Sequence, residues 1–587
     1  MSHKNRILSA GLTAAAALLG HMSGPALADE AAAGNTAALE EIIVSAQRRS
    51  ENLQTVPVAA TVVTAERALL RGISTTTDLV AIVPSLQINP RAGSGTPFLR
   101  GIGSSNGAIG NEPSVATYID DVYISASQAA IFSFNNIESV EVLKGPQGTL
   151  FGRNATGGVI HVKTKDPTAD PTLRAQLSYG NYDTYEGALY ASGAVADNVA
   201  ANFALYGRKQ NDGWGRNLTT GSETFTGYDV GARSKFLWDA GEDTKVTVSG
   251  DYFKFRSDVG AIPRVFPGSV GVGGTLPVGE YDTVSDSDPR IVYEQFGTSL
   301  KIDHDFHDLR LVSITAYRKI MGDQEHLDLD GGPSAIVDVN VNQGETAFTQ
   351  ELQLHSPTEA RFRWIAGLFY YDGSAKLDPT QLRGASNLNI YGRQKVESWA
   401  AFADASYDLV ESTTLTLGLR YTEDKRSVSG YFALPDDTPL AAPTSQETKA
   451  DKLTYRAVLT HNFSDELMAY ASYNRGFKSG AFSLSSFAAP AVRPEVLDAF
   501  EIGFKSEAFD RRLRFNASAF YYDYTDIQVQ QVIGGTVSSV NAGKAKIKGF
   551  DIDMAAMPVE RLTLNLGLSY LDGEYKSFEN GPAFIPN

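Results

Sequence analysis

From about residue 171 onward, apolar and polar positions alternate with a period of two. Between Thr414 and Tyr421, Leu415, Leu417, Leu419 and Tyr421 interleave with Thr414, Thr416, Gly418 and Arg420. The run from Arg561 to Tyr570 repeats the pattern with Leu562, Leu564, Leu566 and Leu568. In Leu513 to Tyr521, Leu513, Phe515, Ala517, Ala519 and Tyr521 share one face, while Arg514, Asn516, Ser518 and Phe520 share the other. This repeat predicts β-strands with one face toward an apolar medium and the other toward a polar one. A soluble β-sandwich and a transmembrane barrel both satisfy it.

Connection lengths separate the two. About seventeen strands are predicted after residue 170, and their joins alternate tight and long. Val195 to Val199, Asp239 to Thr244, His304 to Asp308, Ser356 to Arg361, Asp408 to Thr413, Ser464 to Glu466, Ala508 to Arg512 and Pro558 to Arg561 are tight. Between them lie long polar or Gly/Pro-rich segments such as Asn211 to Thr224 and Ser257 to Tyr293. Short periplasmic turns alternating with long outer loops are the habit of a transmembrane β-barrel, which is the expected fold. Bacterial single-chain barrels close with an even strand number. Seventeen is odd, so the sequence reads as incomplete at its C-terminus.

The N-terminus and the composition narrow the class. Lys4 and Arg6 precede an apolar run from Ile7 to Leu19, followed by the small-residue site Ala26-Leu27-Ala28. That order predicts a secretory signal peptide over residues 1–28. The run is about 13 residues, short of the roughly 20 needed to span a bilayer as a helix. No later stretch is long enough, so the exported chain is expected either to be soluble outside the cytoplasm or to cross an outer membrane as strands. Cysteine is absent, which excludes disulfide frameworks, thiolate metal sites and cysteine nucleophiles. The net charge of −17 argues against nucleic acid as a partner.

Residues 41 to about 168 have a different texture. Val56 to Val63 is strand-like, Thr64-Ala65-Glu66-Arg67 looks like a capped helix start, and Asp78-Leu79-Val80-Ala81 begins a second short helix. Strand runs follow at Val115 to Ile124, Ser139 to Leu143 and Val159 to Thr164. A compact α+β domain placed ahead of a wide barrel is of a kind to fill the lumen. These residues also carry a resemblance. Glu41-Ile42-Ile43-Val44-Ser45-Ala46 resembles the TonB box of TonB-dependent outer-membrane receptors. Phe98-Leu99-Arg100-Gly101-Ile102, Tyr118-Ile119-Asp120-Asp121-Val122 and the run from Ile137 to Pro146 resemble plug motifs, and Leu150 to Ile160 the end of the plug. Tyr473 to Gly480, Glu501 to Lys505 and Lys548 to Asp551 are similar to barrel motifs of the family.

The resemblance implies a signal peptide (1–28), a box and flexible N-terminus (29–50), a plug (51–168) and a barrel (169–587) of which about 17 of 22 expected strands are present. The box residues Glu41, Ile42, Ile43, Val44, Ser45 and Ala46 would add as a strand to TonB of the TonB-ExbB-ExbD complex. Plug cations Arg100 and Lys144 would face wall residues Glu501 and Asp551 as a separable lock. The family more often has arginine at the Lys144 position, so the two-pronged geometry is lost there. The implied function is TonB-coupled uptake of a scarce ligand by a monomer in the outer-membrane lipid, with ferric siderophore preferred over oligosaccharide, vitamin B12 or another nutrient. No resident cofactor is expected, iron entering only as cargo. A passive porin and a secreted all-β binding protein remain as alternatives from other classes.

Other features are read as structural. The glycines at 145, 148, 152, 157 and 158 lack the P-loop pattern and are taken as close turns. His161, His304, His307, His326, His355 and His461 show no His-Glu-x-x-His spacing, and an enzyme is not expected. Trp364, Tyr370, Tyr371, Tyr521, Tyr522 and Tyr524 suit aromatic girdles at the membrane interfaces. Trp214 and Phe266, in outer loops, suit either a ligand surface or loop packing.

Overall fold

A computed structural model describes residues 38–578, apart from residues 46, 92, 105, 130–135, 260, 262–269, 272–273, 276–278, 385 and 534–535. The expected signal peptide, Ala46 and Phe266 lie outside the described residues.

The chain folds into a small mixed-sheet domain enclosed by one large antiparallel sheet. In the inner domain, five strands run in the order Ala60–Thr64, Ile137–Lys144, Gly158–Thr164, Val115–Ile119, Val122–Ile124. Only the pairing of Gly158–Thr164 with Val115–Ile119 is parallel. The strand expected from Val56 begins at Ala60, because Pro57 offers no N–H to a ladder. The run from Val115 to Ile124 is a hairpin with Asp120 (φ 47) and Asp121 (φ 69) at its turn. Two left-handed residues match the right-handed twist of the flanking strands, and aspartate tolerates that conformation. A helix spans Ala65–Leu70. The second short helix is a 3-10 turn, Thr76–Ala81, whose start is fixed by Asp78 accepting from the Thr75 and Ser74 amides at 2.9 Å each. A three-stranded sheet, Leu86–Arg91, Ser94–Leu99 and Ile102–Gly103, completes the domain.

The wall has seventeen strands from Thr172–Gly180 to Leu562–Ser577. Each pairs with the next wall strand in the chain, and among the described residues no ladder joins the first to the last. Alternation sorts their side chains. Leu417 and Leu419 are about half exposed on the outer face, whereas Thr416 and Arg420 are buried against the inner domain. The aromatic expectation is corrected in part. Tyr370 and Tyr521 face outward, but Tyr371, Tyr522 and Tyr524 are buried on the inner face. Adjacent strand residues point to opposite faces, so only one of each neighbouring pair can join a girdle. The inner face receives the plug's core: Val63, Leu79, Leu99, Val140 and Ile160 continue into wall residues Phe253, Phe255, Ile291 and Tyr293. Each such aliphatic group contributes roughly 1.5–3 kcal/mol by leaving water.

The expected tight joins all lie at one end of the sheet, and two further short ones, after Gly180 and after Gly384, lie at the other. At the other end several expected loops are continued strand: Phe362–Gly384 and Leu388–Val410 are 23 residues each. Crossing a bilayer at a tilt takes only about 9–11 residues, so these ribbons stand well clear of it. Among the described residues no helix is long and apolar enough to cross a membrane.

Candidate functional site at the plug and its wall

Arg100 follows the strand Ser94–Leu99 in a turn with φ 51, and Gly101 beside it has φ 76. The turn thrusts the guanidinium into the wall, where it is almost fully buried. Its Nε donates to Asp551 Oδ2 at 2.7 Å, and Nη1 to Glu501 Oε2 at 2.5 Å and Tyr522 Oη at 2.7 Å. Nη2 donates to Ser518 Oγ at 3.0 Å, and the plane lies 4.1 Å from the Phe520 ring centroid. Register explains the convergence. Glu501 pairs with Phe520, and Ser518 with Asp551, so three adjacent strands present one patch. Burial alone would lower the Arg100 pKa, but Tyr522, Glu501 and Asp551 outweigh it and raise it well above the ordinary guanidinium value.

Lys144 is placed differently from expectation. Its ammonium donates to Asp553 Oδ2 at 2.9 Å, two residues beyond Asp551 on the same strand face. The Arg100 fork already occupies Glu501 and Asp551, so the next carboxylate on that face takes the lysine.

A second ionic seam between plug and wall was not foreseen. Plug Arg153 and wall Arg426 each donate to plug Glu112 Oε2 at 2.6 Å. Wall Asp424 lies 3.5 Å from Arg153 and 3.2 Å from Arg426. Arg153 stacks 4.4 Å from the ring centroid of Tyr371, which the strand pleat turns inward. Burial would raise the Glu112 carboxyl, but Arg153 and Arg426 hold it below its ordinary range. Arg153 stands inside a motif already singled out; Glu112 is 41 residues from it and Asp424 is 271 residues away, without local signal. Beside it, Gly152 has φ +82, and a Cβ there would lie 2.7 Å from the Arg420 guanidinium. The glycine is a close approach to the wall, in keeping with the turn reading.

The N-terminal segment is docked rather than free. Ile43–Val44 pairs antiparallel with Glu51–Asn52, and Leu53 N donates to Ile42 O at 2.8 Å. Val44 and Ile42 are buried, while Ile43 is half exposed. Glu41 Oε1 accepts from Asn52 Nδ2 at 2.6 Å. The Ser45 amide donates to both Glu141 oxygens at 3.0 Å, and its hydroxyl lies 3.1 Å from His161 Nδ1. Arg48 lies 4.4 Å from the Phe151 ring centroid and pairs with Asp121 at 3.4 Å and Glu351 at 3.5 Å. Burial would raise the Asp121 carboxyl, but Lys301, His161 and Arg48 hold it well below 3.8. Lys301 of the wall reaches it at 2.8 Å. The segment sits at the tight-turn end of the wall: Leu39 N donates to Arg511 O at 2.9 Å, and Arg49 Nη2 to Trp364 O at 2.7 Å.

A barrel wall plugged from within, with an extended strand held beneath the plug, matches one family. Residues 52–159 match the TonB-dependent Receptor Plug Domain, and residues 263–587 match the TonB dependent receptor-like β-barrel. The chain belongs to the TonB-dependent receptors. The pesticin receptor of Yersinia enterocolitica is 24% identical over 546 residues, covering 91% of this chain and 78% of that protein. The probable TonB-dependent siderophore receptor PiuA of Acinetobacter baumannii is 23% identical over 567 residues, covering 86% and 72%. The solved structure of the ferric yersiniabactin uptake receptor FyuA from Yersinia pestis superposes with a TM-score of 0.76 at 22% identity, over 88% of this chain and 79% of that one. At that identity the likeness is one of fold. A TonB-dependent receptor is a transporter and not an enzyme, and its barrel belongs in a Gram-negative outer membrane. The tight-turn end therefore faces the periplasm and the ribbon end the exterior.

Proposed function

We propose that this TonB-dependent receptor imports a ferric siderophore across the outer membrane, driven by the inner-membrane proton gradient through TonB. The observation that carries the reading is the docked box. An extended strand with its own temporary partner is a segment that another sheet edge can take over. The siderophore cargo is supported by the relatives, several of which are named siderophore receptors; the iron is cargo and the protein has no resident cofactor.

In this reading Glu41 to Ala46 engage TonB, and Arg100 with Glu501 and Asp551 is the lock that seats the plug. Lys144 adds to it through Asp553. Ligand affinity alone cannot drive uphill uptake, so external work is needed to break these contacts. The protein acts as a monomer, with outer-membrane lipid around its wall. The test is radio-iron uptake by cells expressing Ile43→Pro, which removes the N–H that faces away from Asn52 and that an added strand would need. Uptake is expected to fall to background while ligand binding at the surface is retained. Normal uptake in that variant would overturn the coupling.

A further inference from the structure

A concave site of ≈ 810 Å³ lies on the opposite surface of the wall from the plug, on its membrane face. Strand register builds it in rows. Leu177, Gly187, Gly207 and Val230 stand side by side across four strands, and Lys254 continues the row. The next row toward the exterior is Tyr179, Tyr185, Lys209, Tyr228 and Arg256. The row on the other side is apolar, with Leu189 and Leu205 exposed. The groove thus straddles the boundary where hydrocarbon gives way to headgroups.

Its floor is two glycines that the fold does not require. Neither has a positive φ. A Cβ on Gly207 would meet only Val230 Cγ1, at 3.8 Å, and one on Gly187 only Leu177 Cδ2, at 3.4 Å, both ordinary contacts. Glycine weakens a strand interior, and its presence there commonly marks close approach by another molecule. What Gly187 and Gly207 preserve is the slot itself.

The rim is cationic on a chain whose net charge is −17. Lys209 and Arg256 are exposed, and Lys254 is 3.7 Å from Glu294, the carboxylate in its row. The nearest turn carboxylate, Asp183, accepts from Asn211 at 2.7 Å and Tyr179 at 3.2 Å. The Tyr179 and Tyr185 rings, 5.1 Å apart, wall the slot at the interface.

We propose that this groove holds a phosphorylated glycolipid of the outer leaflet, one acyl chain lying over Gly187 and Gly207 and its phosphate groups meeting Lys209 and Arg256. The slot is apolar and one side chain deep, which suits a hydrocarbon chain. The cations sit at headgroup height, where basic clusters bind anionic lipid. The inference needs the outer-membrane placement of the wall but nothing about cargo or TonB.

The test is native mass spectrometry of the full chain extracted in mild detergent from its own outer membranes. The wild type is expected to retain a phosphoglycolipid adduct. Gly207→Leu, which fills the slot, and the double variant Lys209→Gln/Arg256→Gln should each reduce the retained fraction at least about fivefold. Lys319→Gln, an outward cation away from the groove, should leave it unchanged. Heat-modifiable migration identifies the folded protein in each case, and the charge variant reads the site even where the leucine blocks assembly. Equal retention by all variants, no adduct on the wild type, or adducts of glycerophospholipid alone would overturn the proposal.

Discussion

Individual contacts in the seam differ widely in what they hold. Arg100 is buried between two carboxylates that are themselves buried, so Arg100→Ala would strand both. A broken buried pair costs about 3–5 kcal/mol, and the expected outcome is a large drop in the plug's resistance to denaturant, measured by hydrogen exchange of Ser94–Leu99. Lys144→Ala should cost far less, about 1 kcal/mol or below, because the Asp553 side chain is 28% exposed and can be rehydrated. Asp121 supplies a pH dependence. Its carboxyl is depressed below 3.8 in the folded protein, so its contribution is complete above that value and is lost as pH falls from there through the folded value. Melting curves of Asp121→Asn and wild type should therefore differ at neutral pH and converge in acid. At this scale sequence motifs pointed to Arg100, Glu501 and Asp551, which the fold brings together. They could not reveal Asp553, Glu112, Arg426 and Asp424, whose proximity to the plug cations depends on how the plug's turns dock against strands distant in the chain.

Among the elements, the short strands explain more than the long ones. Ile43–Val44 makes a two-residue ladder, and its hold on the plug rests on Ser45 with Glu141 and His161. Ser45→Ala keeps the amide bonds to Glu141 and loses the hydroxyl contacts. The expected outcome is faster protease cleavage near Ile43, with the melting temperature of the whole receptor unchanged within about 2 °C. Unaltered cleavage would show that the amide alone fixes the segment. Period-two alternation located the wall strands because each has one face against apolar surroundings. It misplaced Tyr371, Tyr522 and Tyr524, because composition at strand ends does not tell which of two neighbours faces lipid. It also read outer ribbons as loops, since strands clear of the bilayer have polar residues on both faces, as Arg393, Lys395 and Glu397 show outside Gln394 and Ser398.

For the whole molecule, the seventeen strands and the plug were legible because turns and alternation repeat over hundreds of residues. Cargo was not, since the outer ribbons carry no repeating rule. Outer-membrane proteomics of cells grown with and without an iron chelator addresses it: strong induction is the expected result, and none would favour another nutrient. The docked N-terminal strand has a mechanical meaning as well. Residues 42 and 53 lie at the open end of the small hairpin, joined by the bond from Leu53 N to Ile42 O. Tension applied at the N-terminus therefore falls on one rung at a time, as in unzipping, and not on all rungs together as in shear. Such a joint yields at small force and hands the load to Ser45 on Glu141, then to Arg48 on Asp121, and only afterwards to Ala60–Thr64, the edge strand of the plug sheet. The first segment is a slack line that tightens before the anchor at Arg100 feels the pull.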